Sequence, residues 1–415
     1  MNDIQLVLNR KSVVSDSQVN FIIPLLILPD VLWLSLKLGQ GRISFISLIY
    51  AMVFFYLLQY KRFREIAISR PLLIWATLTV FHLVNATIKQ VPEIEVYDYL
   101  SGFKCYASIC IFTFCFSFKS EQTFKAIYYS LLTWLIIALL GADVQSDQRL
   151  RGEGIAAVAL AKAAALMTIS AIFWDIMRNG NISTLIYKLV FPVAVVILAQ
   201  SRNAFGMVCI MLTGYYQSVI MKYKPAIKQL VMIPIVLVFM VISVRYVLNS
   251  TGLGERFVND IEDVEAETYK TMYQTGTVFD YVAGERIIYY ATGWEIFKDH
   301  FWTGIGLDNY KNYMDGNFPM HVEYMKHLAE GGIIAAFLWI AFLVSLLRVI
   351  VKTKISFTGK GMAYFTFGAI LFTCMFSVNY GQERQMILYG IILSIAYPSA
   401  GNFFYKDIKN PEAKE

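Results

Sequence analysis

Two arginines and one histidine in this chain, Arg202, Arg286 and His321, could act together on an anionic substrate. The planar guanidinium of arginine stays charged at any relevant pH and pairs bidentately with phosphate oxygens. Imidazole, with an ordinary pKa of about 6.5, suits proton abstraction near neutrality. His321 stands where an apolar run begins, and the dipole of a helix starting there would keep the imidazole neutral and basic. These residues favour proton transfer beside a phosphate-bearing substrate.

Arg202 lies between two apolar runs with almost no loop to separate them. A charge there is at a hairpin tip, or just below the surface facing the bundle interior, where an anionic ligand is its natural partner. Further arginines fall at or beyond the same predicted outer boundary: Arg42, Arg149, Arg151, Arg256, Arg286 and Arg384. This lining suits a diphosphate-bearing lipid, with Arg151 as a further substrate-binding candidate. For each arginine, the structural alternative is a position among the lipid headgroups.

Arg286 opens a segment with apolar or aromatic residues at helical spacing, at 287, 290, 294 and 297. The spacing predicts an amphipathic helix that lies against the outer membrane surface or the bundle, with Arg286 in its first turn. The alternative role for Arg286 is a salt bridge to Glu285 or Asp280.

The remaining histidines have simpler interpretations. Glu323 lies one helical turn before His327 and can pair with it. His300 is predicted in a loop and His82 inside a membrane helix, both without a predicted companion. A lone histidine is usually structural, and that alternative also applies to His321.

The composition excludes a soluble globular protein. The 415 residues are 57% hydrophobic and only 16% charged, and the mean hydropathy is +0.54. Apolar runs of about 18–25 residues, each long enough to cross a bilayer, recur from end to end. They predict an all-α, polytopic bundle of about twelve membrane helices. The predicted helices cover residues 19–38, 43–60, 71–88, 97–118, 123–142, 154–177, 184–200, 203–221, 226–248, 322–350, 361–380 and 386–404.

Lys and Arg predict the orientation of these helices. Alternate connections are rich in them: residues 61–70, 119–125, 178–188, 222–228 and 348–360. Those connections are expected inside, together with both termini, and the polar first twenty residues predict a retained first helix. The chain thus divides into helices one to nine (1–248), a large outer segment (249–320), and helices ten to twelve with an inner tail (321–415).

Neither a metal nor a nucleic acid is expected as a ligand. The net charge of +6 comes largely from the predicted inner loops. The acidic run at 260–267 lacks a compact oxygen cage and is better interpreted as a solvated loop face. The cysteines lack zinc or disulfide spacing and fall inside predicted helices: Cys105, Cys110, Cys115, Cys209 and Cys374.

The ordered motifs resemble the bacterial O-antigen ligase and O-antigen polymerase family of membrane glycosyltransferases. The matching pieces are Ser201-Arg202, Gly284-Glu285-Arg286 followed by Trp294, Trp302 to Tyr310, and His321 to Tyr324 running into Leu328 to Ile333. The resemblance spans residues 150–400 in round numbers. One departure is Val322, where such proteins commonly have Asn, which puts in doubt a side-chain role at that position and leaves His321 untouched.

The resemblance implies a GT-C-like bundle with one large helical periplasmic loop in the bacterial inner membrane. It also implies transfer of a glycan from undecaprenyl diphosphate to a sugar hydroxyl on the periplasmic face, with inversion and without a metal or cofactor. Arg202 and Arg286, with Arg151 nearby, would bind the diphosphate. His321 would orient or deprotonate the acceptor.

The acceptor is left open by the sequence. A ligase uses lipid A-core, a polymerase uses the growing glycan, and a related branch glycosylates protein; the ligase is slightly favoured. A transporter or lipid-glycan flippase also has about twelve helices, often as two related halves with a long inner link. Here the middle link, at 178–183, is short, and the one long loop is outside. A structural export subunit has nothing specific in its favour.

Overall fold

The computed structural model shows a helical protein whose apolar helices pack around one extended core, with a second, smaller apolar cluster around Tyr310 and Val322. The structure describes residues 14–35, 42–91, 96–140, 143–144, 150–151, 157–178, 182–199, 201–222, 286–313, 320, 322–377, 382–397, 399 and 401–405. Within these ranges the only strands are β1 (Asp143–Val144) and β2 (Leu150–Arg151), which pair antiparallel. The predicted helical class is therefore confirmed for the described residues.

The described residues form thirteen α-helices. In chain order they are α1 (Asp16–Ile27), α2 (Pro29–Ser35), α3 (Arg42–Leu57), α4 (Lys61–Ala67), α5 (Arg70–Ile88), α6 (Val96–Leu139), α7 (Ala157–Arg178), α8 (Ile182–Leu198), α9 (Arg202–Lys222), α10 (Arg286–Asp299), α11 (Glu323–Lys352), α12 (Phe357–Phe376) and α13 (Met386–Ser394). Short 3₁₀ turns lie at Asn309–Asn312, Glu383–Gln385 and Phe403–Tyr405.

Four described helices are long and apolar enough to cross a membrane: Arg70–Ile88, Ser101–Leu139, Ala157–Arg178 and Glu323–Lys352. Helices of this kind support the prediction of a helical membrane protein. The predicted total of about twelve spans stays a prediction. The predicted helix at 226–248, and residues 249–285 of the polar segment, lie outside the described residues.

Two predicted helices differ clearly from the structure in their boundaries. The last predicted helix, 386–404, was too long, because α13 ends at Ser394 and a 3₁₀ turn follows at Phe403–Tyr405. The expected first helix at 19–38 is divided at Leu28 into α1 and α2. Pro29 begins α2, because a proline lacks the N–H that a continuous helix would need there. By contrast, the expected pair of helices at 97–118 and 123–142 is confirmed, because non-helical geometry at Lys119 (φ −140°, ψ 50°) divides α6 into two helices.

The packing brings several helix ends to one end of the bundle. Gly206 of α9 lies against the ring of Phe372 and Gly214 against Phe365, so α9 and α12 run antiparallel. The start of α9 therefore lies beside the end of α12, at what is called here the α12 end. The described parts of the candidate site lie at this end of the bundle.

Candidate active site

The structure describes the three predicted arginines through their backbones. Arg202 is the first residue of α9, Arg286 is the first residue of α10, and Arg151 lies in β2. His321 lies outside the described residues, while its neighbours Met320 and Val322 are buried. Their predicted roles therefore stay predictions, and the described helices around them supply the geometry.

Helices α9, α10 and α11 converge on the last turns of α12. The Tyr290 hydroxyl, one turn after the start of α10, donates to the carbonyl of Met375 at 2.9 Å. The Tyr324 hydroxyl, in the first turn of α11, donates to the carbonyl of Leu371 at 3.3 Å. Together with the packing of α9 on Phe372, these contacts place the first turns of both arginine-bearing helices at one shared helix end.

The predicted helix after Arg286 is confirmed, but its buried face is not the predicted one. Ile296 and Phe297 are buried, and Gly293 fits against Met325 of α11, whereas 48% of Trp294 is exposed. Trp294 does not share the face buried in the bundle, because α10 packs on α11 through the small surface at Gly293. The suggested salt bridges of Arg286 involve residues outside the described ranges.

A break in α11 lies against the loop at residues 301–308, named the glycine loop after Gly304 and Gly306. Gly332 has φ +62° and ψ −163°, so the helical hydrogen-bond pattern is interrupted there. The Ile333 N–H, which would bond to Ala329 in an unbroken helix, donates instead to the carbonyl of Phe301 at 2.8 Å. The Ala329 carbonyl accepts from the Ile305 N–H at 3.0 Å. The loop thus replaces the hydrogen bonds that the break removes, as buried backbone groups require.

Two glycines permit this close approach. A Cβ at Gly332 would lie 2.5 Å from the carbonyl carbon of Trp302, and one at Gly304 would lie 2.5 Å from the carbonyl oxygen of Ala329. Gly304 also has a positive φ of +64°, a conformation that disfavours any Cβ. The motif glycines therefore hold the loop directly against the first turns of α11.

We expect Gly332→Ala to destabilise the protein by about 2–3 kcal/mol, since it combines a positive φ with contact against backbone atoms that cannot move aside. The measurement is the apparent melting temperature in detergent. Gly368→Ala in α12 is the matched control, because its nearest contact would be 3.9 Å away. The control should keep or raise the melting temperature. An unchanged melting temperature for Gly332→Ala would show that the close contact between Gly332 and the backbone of Trp302 does not stabilise the protein.

The first turns of α11 carry a buried chain of hydrogen bonds. His327 Nε2 lies 3.2 Å from Glu323 Oε1, and His327 Nδ1 lies 3.0 Å from His82 Nε2 of α5. All three side chains are fully buried. The predicted pairing of His327 with Glu323 is confirmed. The expectation that His82 has no companion was wrong, because its partner comes from a helix distant in sequence.

Glu330, also in α11, connects this helix to the glycine loop. Its Oε2 accepts from the Asp308 N–H at 3.0 Å and lies 3.5 Å from Lys326 Nζ. The Asn85 amide of α5 donates to the Glu330 carbonyl at 3.2 Å and to the carbonyl of Thr303. The loop and α11 are thus attached to each other and to α5.

Three consecutive residues after α12 are each attached to a different helix. Gln382 Oε1 accepts from Lys162 Nζ of α7 at 2.7 Å, and Lys162 also donates to the Ser377 hydroxyl. Glu383 Oε2 lies 3.0 Å from Lys104 Nζ of α6. Arg384 lies 2.7 Å from Asp30 of α2 and 4.4 Å above the Trp134 ring.

Lys104 and Lys162 were missed as candidates, although a signal was available. Both fall well inside predicted membrane helices, where ionisable residues are rare and mark functional or ion-paired positions. They are 4% and 5% exposed. Among the described residues, no three His, Cys, Asp or Glu side chains group to hold a metal ion. The acidic run at 260–267 lies outside the described residues.

Residues 188–340 of the chain match the family model described as O-antigen ligase. The resemblance to the O-antigen ligase and polymerase family is confirmed over this segment. The matched O-antigen ligase segment contains Arg202, Arg286 and His321, together with the glycine loop. It ends before Ser377 and Gln382, and it begins after Arg151 and Lys162. A search of curated proteins gave no significant match to the chain.

Proposed function

We propose that this protein transfers a glycan from undecaprenyl diphosphate to a sugar hydroxyl of lipid A-core, as an O-antigen ligase does. The observation that carries the proposal is the O-antigen ligase match over 188–340, which contains Arg202, Arg286 and His321. The convergence of α9, α10 and α11 on the end of α12 supports it, because one site can then use residues from all three helix starts.

The donor diphosphate binds at the starts of α9 and α10. Unpaired N–H groups and the helix dipole make a helix N-terminus favourable for phosphate. Arg202 and Arg286, as the first residues of these helices, add two guanidinium groups that match phosphate oxygens in geometry. These fixed cations stabilise the charge that develops on the diphosphate as the glycosidic bond breaks. Arg151 is assigned to the same anionic substrate.

His321 acts on the acceptor. Its imidazole accepts the proton of the acceptor hydroxyl while the hydroxyl oxygen attacks the anomeric carbon from the side opposite the diphosphate. The new carbon–oxygen bond forms as the bond to the diphosphate breaks, and the electron pair leaves with the diphosphate. One displacement inverts the anomeric configuration. The products are the glycosylated acceptor and free undecaprenyl diphosphate, and a diphosphate leaving group needs no acid to protonate it.

The reaction takes place on the periplasmic face of the bacterial inner membrane. The distribution of Lys and Arg supports this sidedness, since it puts the connections rich in these residues inside. The α12 end, with Arg202 and the glycine loop, then faces the periplasm, where finished lipid-linked glycan and lipid A-core meet.

Deleting the gene should leave lipid A-core bare while polymerised glycan accumulates on the polyprenyl carrier. Ligation joins the glycan to lipid A-core, so without it the two remain separate molecules. Gel electrophoresis of extracted lipopolysaccharide measures this, and complementation with the intact gene is the control.

Two other gel patterns would contradict the ligase. A band of core plus one repeat unit would identify a polymerase of the same family, because ligation then continues without chain extension. An unchanged ladder in a strain with no second copy would exclude both enzymes and favour a transporter.

A further inference from the structure

A groove between α1 and α3 is open at the surface of the bundle and has a volume of about 450 Å³. Cavities of about 300–1,000 Å³ are typical of sites that hold a small ligand. Buried Ile22 and Val53 form the floor of the groove, and the exposed side chains of Phe21 and Met52 form its two walls. The other lining residues are Ser17, Gln18, Leu25 and Tyr56.

The groove is polar at one end, where α1 starts and α3 ends. There Gln18 Nε2 donates to the Tyr56 hydroxyl oxygen at 2.8 Å and to that of Tyr60 at 2.7 Å. Gln18 Oε1 accepts from the Ser15 N–H at 2.8 Å, so both ends of the amide are held. Because both tyrosine oxygens accept from Gln18, a phenolic O–H is left to donate to a ligand oxygen. An ordered polar end thus opens into an apolar channel.

The polar end carries a surplus of positive charge. Helix α4 begins there with Lys61, which directly follows Tyr60 and is exposed. Helices α1, α3 and α4 contain two carboxylates between them, and each is paired with another cation: Asp16 with Lys119 at 2.8 Å, and Glu65 with Arg62 at 2.9 Å. Lys61 therefore has no carboxylate partner among the described residues. An exposed lysine in that state suits an anionic lipid headgroup.

The length of the groove fits one leaflet of a bilayer. Ser17 and Leu25 are eight residues apart on α1, which corresponds to about 12 Å along a helix. Half of a hydrocarbon core is about 15 Å thick. The distribution of Lys and Arg predicts that residues 61–70, and with them the polar end, lie on the inner side. The apolar part then runs from the inner headgroup level toward the middle of the bilayer.

We propose that this groove binds one anionic phospholipid of the inner leaflet. An acyl chain lies between Phe21 and Met52, and the phosphate is held by the O–H of Tyr56 and the ammonium of Lys61. The site is separate from the proposed glycan transfer, because all of its residues precede the segment 188–340 that matches O-antigen ligase.

The polyprenyl tail of a lipid-linked donor is the main alternative occupant. Such a tail is apolar along its whole length, so it would leave the polar groups at Gln18 and Tyr56, and the charge of Lys61, without a partner. A phospholipid matches both parts of the groove, because its acyl chain and its phosphate meet at the headgroup level.

The experiment is native mass spectrometry of the full-length protein released from nanodiscs that contain equal amounts of phosphatidylglycerol and phosphatidylethanolamine with the same acyl chains. The parent should retain one phosphatidylglycerol in preference to phosphatidylethanolamine, which has no net charge. Lys61→Gln should reduce that preference about five-fold, which corresponds to about 1 kcal/mol for one basic residue beside an anionic lipid. Lys352→Gln, which removes an exposed lysine at the end of α11, is the control and should leave the preference unchanged. Equal retention of the two lipids by the parent, or an unchanged preference in Lys61→Gln, would overturn the proposal.

Met52→Trp tests the apolar part of the groove. Met52 and Leu48 both lie on α3 and are both 54% exposed, but only Met52 lines the groove. A tryptophan at position 52 fills the space for the acyl chain, so retained phosphatidylglycerol should be lost, whereas Leu48→Trp should retain it like the parent. Both variants should keep the parent's apparent melting temperature, because both positions are exposed. Parental retention by folded Met52→Trp would overturn the placement of the lipid, and if that variant does not fold, the result for Lys61→Gln decides.

Undecaprenyl monophosphate added to the same nanodiscs tests the polyprenyl alternative. If it displaces the retained phosphatidylglycerol from the parent, the groove holds a polyprenyl tail and the proposal is wrong. If phosphatidylglycerol stays bound, the assignment to a phospholipid is supported. Glycan transfer is not measured in these experiments, so a failure of the proposed function would change none of their results.

Discussion

A His321→Ala variant is expected to transfer glycan roughly 10²–10⁴ times more slowly than the parent, because the acceptor hydroxyl loses its general base. Arg202→Ala and Arg286→Ala should each slow transfer by about 10²–10³, as the removal of one preorganised stabilising group does at other sites of developing negative charge. Arg202→Lys and Arg286→Lys should also be slow, since a point charge cannot reproduce the bidentate fork. The measurement is turnover of a defined lipid-linked donor by purified protein.

Arg178→Ala is the matched control for these arginine variants. Arg178 ends α7, at the opposite end of that helix from Lys162, and it pairs with Glu121 at 2.9 Å in an exposed contact. Exposed pairs of this kind contribute little, so turnover should be unchanged. Near-parental turnover of His321→Ala would show that another group accepts the proton. Loss of the folded protein in that variant would instead favour a structural role for His321.

The helices of this fold could be predicted from the sequence because the length of each apolar run is enough to indicate a membrane helix. The predicted runs at 71–88 and 154–177 agree closely with α5 (Arg70–Ile88) and α7 (Ala157–Arg178). Hydropathy does not report backbone geometry within an apolar run. The break at Lys119 was predicted because polar residues interrupt the apolar run there, whereas the break at Gly332 was missed. Gly332 can depart from helical geometry because the carbonyl of Phe301, in a separate loop, accepts the Ile333 N–H that loses its helical partner.

The candidate site was predictable in its motifs and less so in its surroundings. Charged residues at apolar boundaries identified Arg202 and Arg286, since an isolated charge there demands an explanation. The pairing of His82 with His327 joins residues 245 positions apart, so no local pattern could indicate it. Lys162 carried a signal in its position within an apolar run. Its two neutral acceptors become visible only once α7 and the end of α12 are packed together.

The ion pair of Lys104 and Glu383 is expected to contribute most strongly to the stability of the α12 end. Both groups are largely removed from solvent, with side-chain exposures of 5% and 13% at an N–O distance of 3.0 Å. Burial disfavours the ionised carboxylate, but the charges of Lys104 and Arg384 outweigh burial and hold the pKa of Glu383 below its usual range. A lowered pKa means that the folded state favours the charged form. This stabilisation is present above the ordinary glutamate pKa of about 4.3 and is lost as the pH falls through the lowered value.

Glu383→Gln should therefore destabilise the protein by about 3–5 kcal/mol near neutral pH, because Lys104 remains buried without its carboxylate. Lys104→Met combined with Glu383→Gln should recover much of that loss, since no uncompensated charge is then left. The measurement is the apparent melting temperature in detergent, followed from neutral pH down to about pH 3.

Arg62→Gln, which breaks an exposed pair with Glu65, is the control and should change the melting temperature little. The parent should lose its advantage over the double variant as the acid range is entered. If Glu383→Gln melts like the parent at neutral pH, the pair is not what holds the connection after α12 against α6.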